Sequence, residues 1–430
     1  MTSTVEKNVY WSTADVLKKG WQLPFIGTAG DSVSQLEDVL KNAVSLQMEA
    51  DVPFGAFLSG GVDSSTIVAL MQPQSDQKVK TFSIGFDNKA YNEAEHARAV
   101  AKHLGTEHFD MYVSGQDALD VIPKLPHIYD EPFADSSQIP TFLVSQIAKQ
   151  KVTVSLSGDA GDELFGGYSR YDLANNAWNK LNKIPRPIRS AVGATAKSLP
   201  AGFWKGMFSP LDALKSKQGK PVSYGDKFLK ARELLNCESR RDFYHKGFLS
   251  HNLTPHAWVL GSSLIKSPFD AVDFSQATYL EEMMALDMLH YLPNNILTKV
   301  DRAAMAVSLE TRVPLLDPNV IQFAASLPLE YKIREGVGKW VLRQVLYKYV
   351  PKDLIERPKM GFGVPLAEWL RGPLKDWAEA LLDEKRLHEE GFFNVDLVRK
   401  KWLEHSSGLR NWQAQLWDIL MFQAWLEENN

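Results

Sequence analysis

The chain has 430 residues and is 44% apolar, 23% charged and 11% aromatic, with a formal net charge of −4, values of a globular protein with ample material for a core. That charge carries no electrostatic footprint of a nucleic-acid binder, and a single cysteine, Cys237, excludes an internal disulfide framework and a cysteine-built zinc cluster. No apolar run approaches the ~20 residues that span a bilayer, and Met1 to Tyr10 lacks a signal pattern, so the composition points to the cytoplasm and away from the membrane.

In chain order, residues 1–30 read as a lead-in segment, with Gly20, Pro24, Gly27 and Gly30 set among scattered aromatic side chains. From Asp31 the apolar residues Val33, Leu36, Leu40, Ala43 and Val44 follow helical spacing, with Asp31 or Ser32 as cap. The period then changes. Pro53 to Leu58 is a short continuous apolar run, as in a strand buried on both faces, and it leads through a glycine loop into the helical Thr66 to Leu70. Val79 to Phe86 is a second strand, Asn92 to Leu104 a helix closed by Gly105, and Glu107 to Val113 a third strand. Ser136 to Gln150 is a helix and Val152 to Ser157 a fourth strand, again ending in a glycine loop. Strands alternating with helices at these lengths predict an α/β fold, a parallel sheet with flanking helices, over residues 31–172. Residues 173–275 read as a helical insertion, in which 173–230 holds eleven Lys or Arg against two Asp. That excess suits a solvated helical face, or a surface for a polyanion. Residues 276–430 read as helical, ending in a segment with Trp402, Trp412, Trp417 and Trp425, which are expected in the core.

The chemistry concentrates in the two glycine loops. Ser59-Gly60-Gly61-Val62-Asp63-Ser64-Ser65 follows a buried strand and opens a helix. Glycines expose backbone N–H groups, serines add hydroxyl donors, and a helix N-terminus favours an anion. The loop has no lysine, which excludes the GxxxxGK[ST] phosphate loop. It carries Asp63 instead, and a carboxylate beside a phosphate site is best explained by a divalent cation between them; Mg²⁺ takes carboxylate, phosphate and water oxygens. The ordinary alternative, a Gly-Ser turn with Asp63 as helix cap, would explain a lone Gly-Gly pair but not the whole string. The second loop, Ser157-Gly158-Asp159-Ala160-Gly161-Asp162-Glu163, places two carboxylates three residues apart, so one can serve a metal and the other a reacting centre. Capping of the following helix would account for Glu163 and leaves Asp159 unexplained.

The string SGGVDSS resembles the pyrophosphate motif of the N-type ATP pyrophosphatases, and with SGDAGDE it resembles the synthetase domain of glutamine-dependent asparagine synthetases, which shares its fold with β-lactam synthetases. Asp130-Glu131-Pro132, Asp301 to Asp317 (DRAAMAVSLETRVPLLD) and Arg357 to Phe362 (RPKMGF) extend the resemblance over nearly the whole chain. It implies an adenine nucleotide alpha hydrolase-like fold and a ligase that activates a carboxylate, above all the side chain of aspartate, as its adenylate, then transfers ammonia to give an amide, AMP and pyrophosphate. By position, Ser59, Gly61, Asp63 and Ser64 would bind pyrophosphate, and Gly60 and Ser157 would belong to the same ATP-binding set. Leu58, Ile84 and Gly158 would hold the adenosine part through their backbone, and Asp63 and Asp162 would bind Mg²⁺. Lys359 would meet the α-phosphate as charge develops there, where a fixed cation favours the transition state. Asp159 would act as general base toward ammonia. Asp301 with Arg302, and Arg312 with Glu310 or Asp317, are read as structural ion pairs beside the site.

Two departures bear on this reading. The family's glutaminase nucleophile is a cysteine exposed after removal of the initiator methionine, whereas position 2 here is Thr2. The ammonia would then be free, or come from a glutaminase domain or subunit absent from this chain; the segment Tyr10 to Phe25 resembles the family's connecting segment. Asparagine formers usually have Glu where this chain has Asp159, so the acceptor acid stays open. Amidation of another acid such as a uronic-acid sugar, intramolecular amide closure, a non-catalytic ATP-binding subunit and tRNA modification are the alternatives.

Overall fold

The structure, a computed structural model, describes residues 8–86, 93–198, 203, 206–207, 228, 231–232, 234–249, 255–263, 272–357 and 363–429. Lys359, Asn92 and most of the basic stretch between 199 and 230 lie outside the described residues. The chain divides into two units: Met1–Gly167 with His256–Ala277 and Met284–Asn430, and Tyr168–Pro255 with Thr278–Met283.

In the first unit, α1 (Thr13–Gln22) lies within the predicted lead-in. It packs so closely on the helix Pro318–Ser326 that the backbone of Ala325 touches Gly20. Helix α2 (Ala29–Met48) begins two residues before the expected Asp31. Its cap is Thr28, whose hydroxyl accepts the Asp31 N–H at 3.2 Å while the Asp31 carboxylate accepts the Thr28 N–H at 2.8 Å. This reciprocal box moves Asp31 from the cap to the third helical position. The predicted stripe holds: Leu36, Leu40, Ala43 and Val44 are buried.

The strands follow as β1 (Phe54–Phe57), β2 (Lys80–Phe86) and β3 (Glu107–Val113), joined by α3 (Val62–Met71) and α4 (Ala94–Leu104). Glu93 is the N-cap of α4, and Gly105 closes it in the left-handed conformation. Helix α5 (Gln138–Lys149) precedes β4 (Val154–Leu156), which runs into α6 (Gly161–Phe165). Further on come α7 (Thr298–Met305), β5 (Glu310–Arg312) and α8 (Trp340–Leu346). The five strands form one parallel sheet in the order β3-β2-β1-β4-β5. This is the parallel α/β sheet with flanking helices read from the sequence. Its edge strand β5 was not foreseen, because Glu-Thr-Arg lacks both an apolar run and alternation and is held by pairing with β4.

Strand order reverses between β1 and β4, the two strands that carry the glycine loops. Ligands of open α/β sheets bind at such a switch point, beyond the carboxyl ends of the strands. The core beneath joins Phe82, Ile84 and Val113 of the sheet to Ile139, Leu143 and Ile147 of α5 and to Trp402, Trp417 and Leu420 from the C-terminal helices Val395–Ser406 and Gln413–Asn429. Trp402 and Trp417 are fully buried, as expected. Trp412 is half-buried against the cluster, and half-buried Trp425 donates its indole N–H to the Asp130 carbonyl at 2.6 Å. Among the described residues no helix is long and apolar enough to cross a membrane.

The second unit is helical where described, with Ser169–Leu181, Arg186–Ser198 and Arg240–Tyr244. Tyr171, Phe243 and Tyr244 are buried there. Buried Glu282 is neutralised by Arg240 at 2.5 Å and Arg241 at 2.9 Å. A lone carboxylate would not tolerate such burial.

Candidate functional site

The first loop leaves β1 at Leu58, whose N–H is held by the Phe82 carbonyl at 2.8 Å. Ser59 and Ser64 brace each other: their hydroxyls lie 3.0 Å apart, and the Ser59 N–H donates to Ser64 Oγ at 3.2 Å. Gly61 is the N-cap of α3 and supplies no side chain. The positive end of α3 is therefore presented by backbone, with Asp63 in its first turn. Ile84 is buried on β2, next to β1 in the sheet.

The second loop is docked directly on the first. Ser157 donates its N–H to the Arg312 carbonyl of β5 at 2.8 Å. At Gly158 the loop meets the start of α3 so closely that an added Cβ would lie 2.5 Å from the Ser64 nitrogen and 2.7 Å from the Asp63 carbonyl carbon. Only glycine allows that approach. Ala160, at the cap of α6, takes a left-handed φ of 73°, local backbone strain of the kind that collects at functional loops.

These contacts bring together Asp63 and Asp162, from loops 99 positions apart in the sequence. Both carboxylates contact one nitrogen, Nζ of Lys339, which lies 2.8 Å from Asp162 Oδ1. Lys339 is buried. Burial alone would favour its neutral form, but the charges of Asp63 and Asp162 outweigh that and hold its pKa above the ordinary lysine value. Its backbone is pinned: φ is 62°, and its N–H donates to the Phe165 carbonyl at 2.8 Å. The Lys339 Cε and Asp162 Oδ1 crowd Gly167, so a side chain added there would have to push both of them aside.

Asp159 accepts a hydrogen bond from the Ser157 hydroxyl at 2.8 Å. It is ringed by protein atoms, although part of the residue still meets solvent. Burial pushes its carboxyl above the ordinary carboxylate range; the Ser157 hydroxyl and the Lys299 charge pull against that, and the Asp162 charge adds to it. Lys299, from α7, is itself buried. Its Nζ donates to Ser137 Oγ at 2.8 Å and sits 3.4 Å from Asp135 Oδ2, which also accepts from Asn295 at 2.9 Å. Burial works to raise the Asp135 carboxyl, but the Lys299 charge and the hydrogen bonds from Ser137 and Asn295 hold it below the usual range.

The predicted residues Leu58, Ser59, Gly60, Gly61, Asp63, Ser64, Ser157, Gly158, Asp159 and Asp162 thus lie on two touching loops. Ile84 lies on the adjacent strand, and Lys359 is outside the described residues. Arg357, two positions earlier in the sequence, is anchored on the first loop: it donates to the Ser59 carbonyl at 3.2 Å and pairs with Glu93 at 3.4 Å. Sequence reasoning missed Lys339, Lys299 and the anchoring role of Arg357. The run Gly336-Val337-Gly338-Lys339 ahead of a helix was the available signal for Lys339; Lys299 lies two positions before the Asp301 to Asp317 stretch and carries no local mark. In that stretch Arg302 reaches Asp130 at 2.6 Å instead of neighbouring Asp301, because side chains adjacent in a helix diverge. Arg312 pairs with Glu310 at 2.7 Å as read, and Asp317 caps the helix Pro318–Ser326.

Among the described residues, no group of three or more His, Cys, Asp or Glu side chains gathers as an all-protein metal cage. Two hard carboxylates converging on one cationic position do fit Mg²⁺, which takes one or two carboxylates and completes its shell with phosphate oxygens and water.

Comparison with known proteins adds an independent line. The asparagine synthase family model matches residues 35–427. Asparagine synthetase (glutamine-hydrolyzing) 1 of Bacillus subtilis (strain 168) is 30% identical over 394 residues, covering 91% of this chain and 59% of its own length. The putative asparagine synthetase (glutamine-hydrolyzing) of Mycobacterium tuberculosis (strain ATCC 25618 / H37Rv) is 32% identical over 400 residues, covering 91% of this chain and 57% of its own. The chain therefore spans less than two thirds of these relatives, and it belongs to the asparagine synthase family.

Proposed function

We propose that this member of the asparagine synthase family is an ATP-dependent ligase that adenylates a carboxylate, the side chain of aspartate, and transfers ammonia to it, releasing AMP and pyrophosphate. The observation that carries the reading is the convergence of Asp63 and Asp162 on one cation position at the sheet's switch point, with Asp159 on the same loop. In this reading Leu58, Ile84 and Gly158 hold the adenosine part through their backbone. The first-turn N–H groups of α3 and the hydroxyls of Ser59 and Ser64 receive the β- and γ-phosphates. Asp63 and Asp162 would hold Mg²⁺, which would supply charge neutralisation for the pyrophosphate leaving group. Lys359 would meet charge developing at the α-phosphate.

Asp159 serves the second step. Ammonia attacks the acyl carbon, the nitrogen loses a proton to the Asp159 carboxylate, and AMP departs. A base poised above the ordinary carboxylate range takes that proton more readily near neutral pH. The sole cysteine of the sequence, Cys237, is buried and its thiol is pushed up to about 12, chiefly by burial, so it is no nucleophile for glutamine. Ammonia is supplied free or by a glutaminase in another domain or subunit.

The test is pyrophosphate and AMP release with MgATP, aspartate and ammonium, omitting each in turn, with the amide identified by mass spectrometry. Aspartate that yields no ammonia-dependent amide, while another acid does, would refute the choice of acceptor. No pyrophosphate with any acid would refute the ligase.

A further inference from the structure

We propose that Lys339 is the resident cation of the metal-free site, holding the place between Asp63 and Asp162 until nucleotide phosphate draws its ammonium away, so that the metal enters with ATP and not before it. The inference rests on the MgATP reading above and adds an order of binding to it.

Three observations support it. The ammonium of Lys339 contacts both carboxylates that would ligate the metal. The ammonium is buried and faces two half-buried carboxylates, so it supplies positive charge where both of them converge. Finally, the backbone at Lys339 is clamped by its bond to the Phe165 carbonyl, so the ammonium can be displaced by rotation of its own side chain alone.

A divalent cation and an ammonium cannot share one position, because like charges a few ångströms apart repel strongly in a partly dry site. Metal arriving alone must therefore expel Lys339 from its two carboxylate contacts. ATP changes the balance. Its phosphate oxygens accept the displaced ammonium in a charge-assisted hydrogen bond and complete the metal's oxygen shell. Metal and nucleotide then bind synergistically, and carboxylates that would otherwise capture free divalent ions stay guarded.

The experiment is a titration with Mn²⁺, read by the loss of free-ion EPR signal, on the wild-type chain and on Lys339→Met, each with and without ATP. The wild type is expected to bind Mn²⁺ weakly alone and at least about tenfold more tightly with ATP. In Lys339→Met, Mn²⁺ alone binds at least about tenfold more tightly than in the wild type, and the gain from ATP shrinks correspondingly. Equal Mn²⁺ affinity of the two proteins without ATP would overturn the proposal. If Lys339→Met folds only when Mn²⁺ is supplied, the metal is substituting for the ammonium and the proposal stands; if it stays unfolded with Mn²⁺, the proposal falls. Should neither protein bind ATP even with Mn²⁺, the nucleotide reading fails, while the comparison without ATP still decides the role of Lys339.

Discussion

Gly158→Ala is the sharpest perturbation of this site. The added methyl would lie 2.5 Å from the Ser64 nitrogen, 2.7 Å from the Asp63 carbonyl carbon and 2.9 Å from the Ser64 Cα. All three atoms belong to the backbone of the first turn of α3, so no side chain can rotate aside. Ordinary contact begins near 3.4 Å, and the two loops must therefore separate by about 0.9 Å, the difference from 2.5 Å. Overpacking of this kind costs about 1–3 kcal/mol of stability. A misplacement of about 1 Å between reacting groups costs about 10²-fold in rate. The expected result is a Tm lower by a few degrees, with kcat/KM for ATP down about 100-fold in a pyrophosphate-release assay. Gly115→Ala is the control, since nothing lies within 4 Å of its added Cβ, and it should leave both quantities unchanged. Gly158→Ala with wild-type Tm and kcat/KM within threefold of wild type would mean that the loops are not packed as described.

Other expectations follow from the same geometry. Asp63→Asn and Asp162→Asn should each cut pyrophosphate release about 10²–10³-fold with the fold kept by circular dichroism, since Lys339 retains one carboxylate; activity above a tenth of wild type in either variant would contradict the shared-cation reading. Asp159→Asn should preserve acid-dependent pyrophosphate release but lower amide yield about 10²-fold or more. Because burial raises the Asp159 carboxyl, amide yield in the wild type should fall on acidification at a higher pH than an ordinary carboxylate would dictate, and a profile identical to that of Asp159→Asn would refute its role as base. On α2, burial raises the Glu37 carboxyl but hydrogen bonds from Lys348, Lys41 and Tyr349 outweigh it and hold it at about 2. A depressed carboxylate pKa gives stability that is present above the ordinary value of 4.5 and lost as pH falls towards 2. Discounted for the partly exposed lysines, Glu37→Gln should cost about 2 kcal/mol at neutral pH and flatten the acid loss of stability in denaturant titrations.

Much of the architecture was legible in the sequence, because it is written in local patterns. Buried parallel strands are short continuous apolar runs, as at β1 and β2, and helices repeat their apolar residues every three or four positions, as in α2. The two glycine loops were legible for a related reason: a turn that brings backbone N–H groups to an anion requires glycine, and a carboxylate beside it requires a cation. What those patterns do not contain is which distant segments meet. β5 is a strand only because β4 pairs with it; its three residues have no strand signature of their own. Lys339 and Lys299 have ordinary sequence surroundings and become site residues through contacts with Asp63 and Asp162 and with Asp135 and Ser137. The sequence by itself determined strands β1 to β4, the two glycine loops and the carboxylates they carry. Only the tertiary structure decided that a buried lysine already occupies the place between two of those carboxylates, because charge neutralisation in a partly buried site is satisfied through space and leaves no periodicity along the chain.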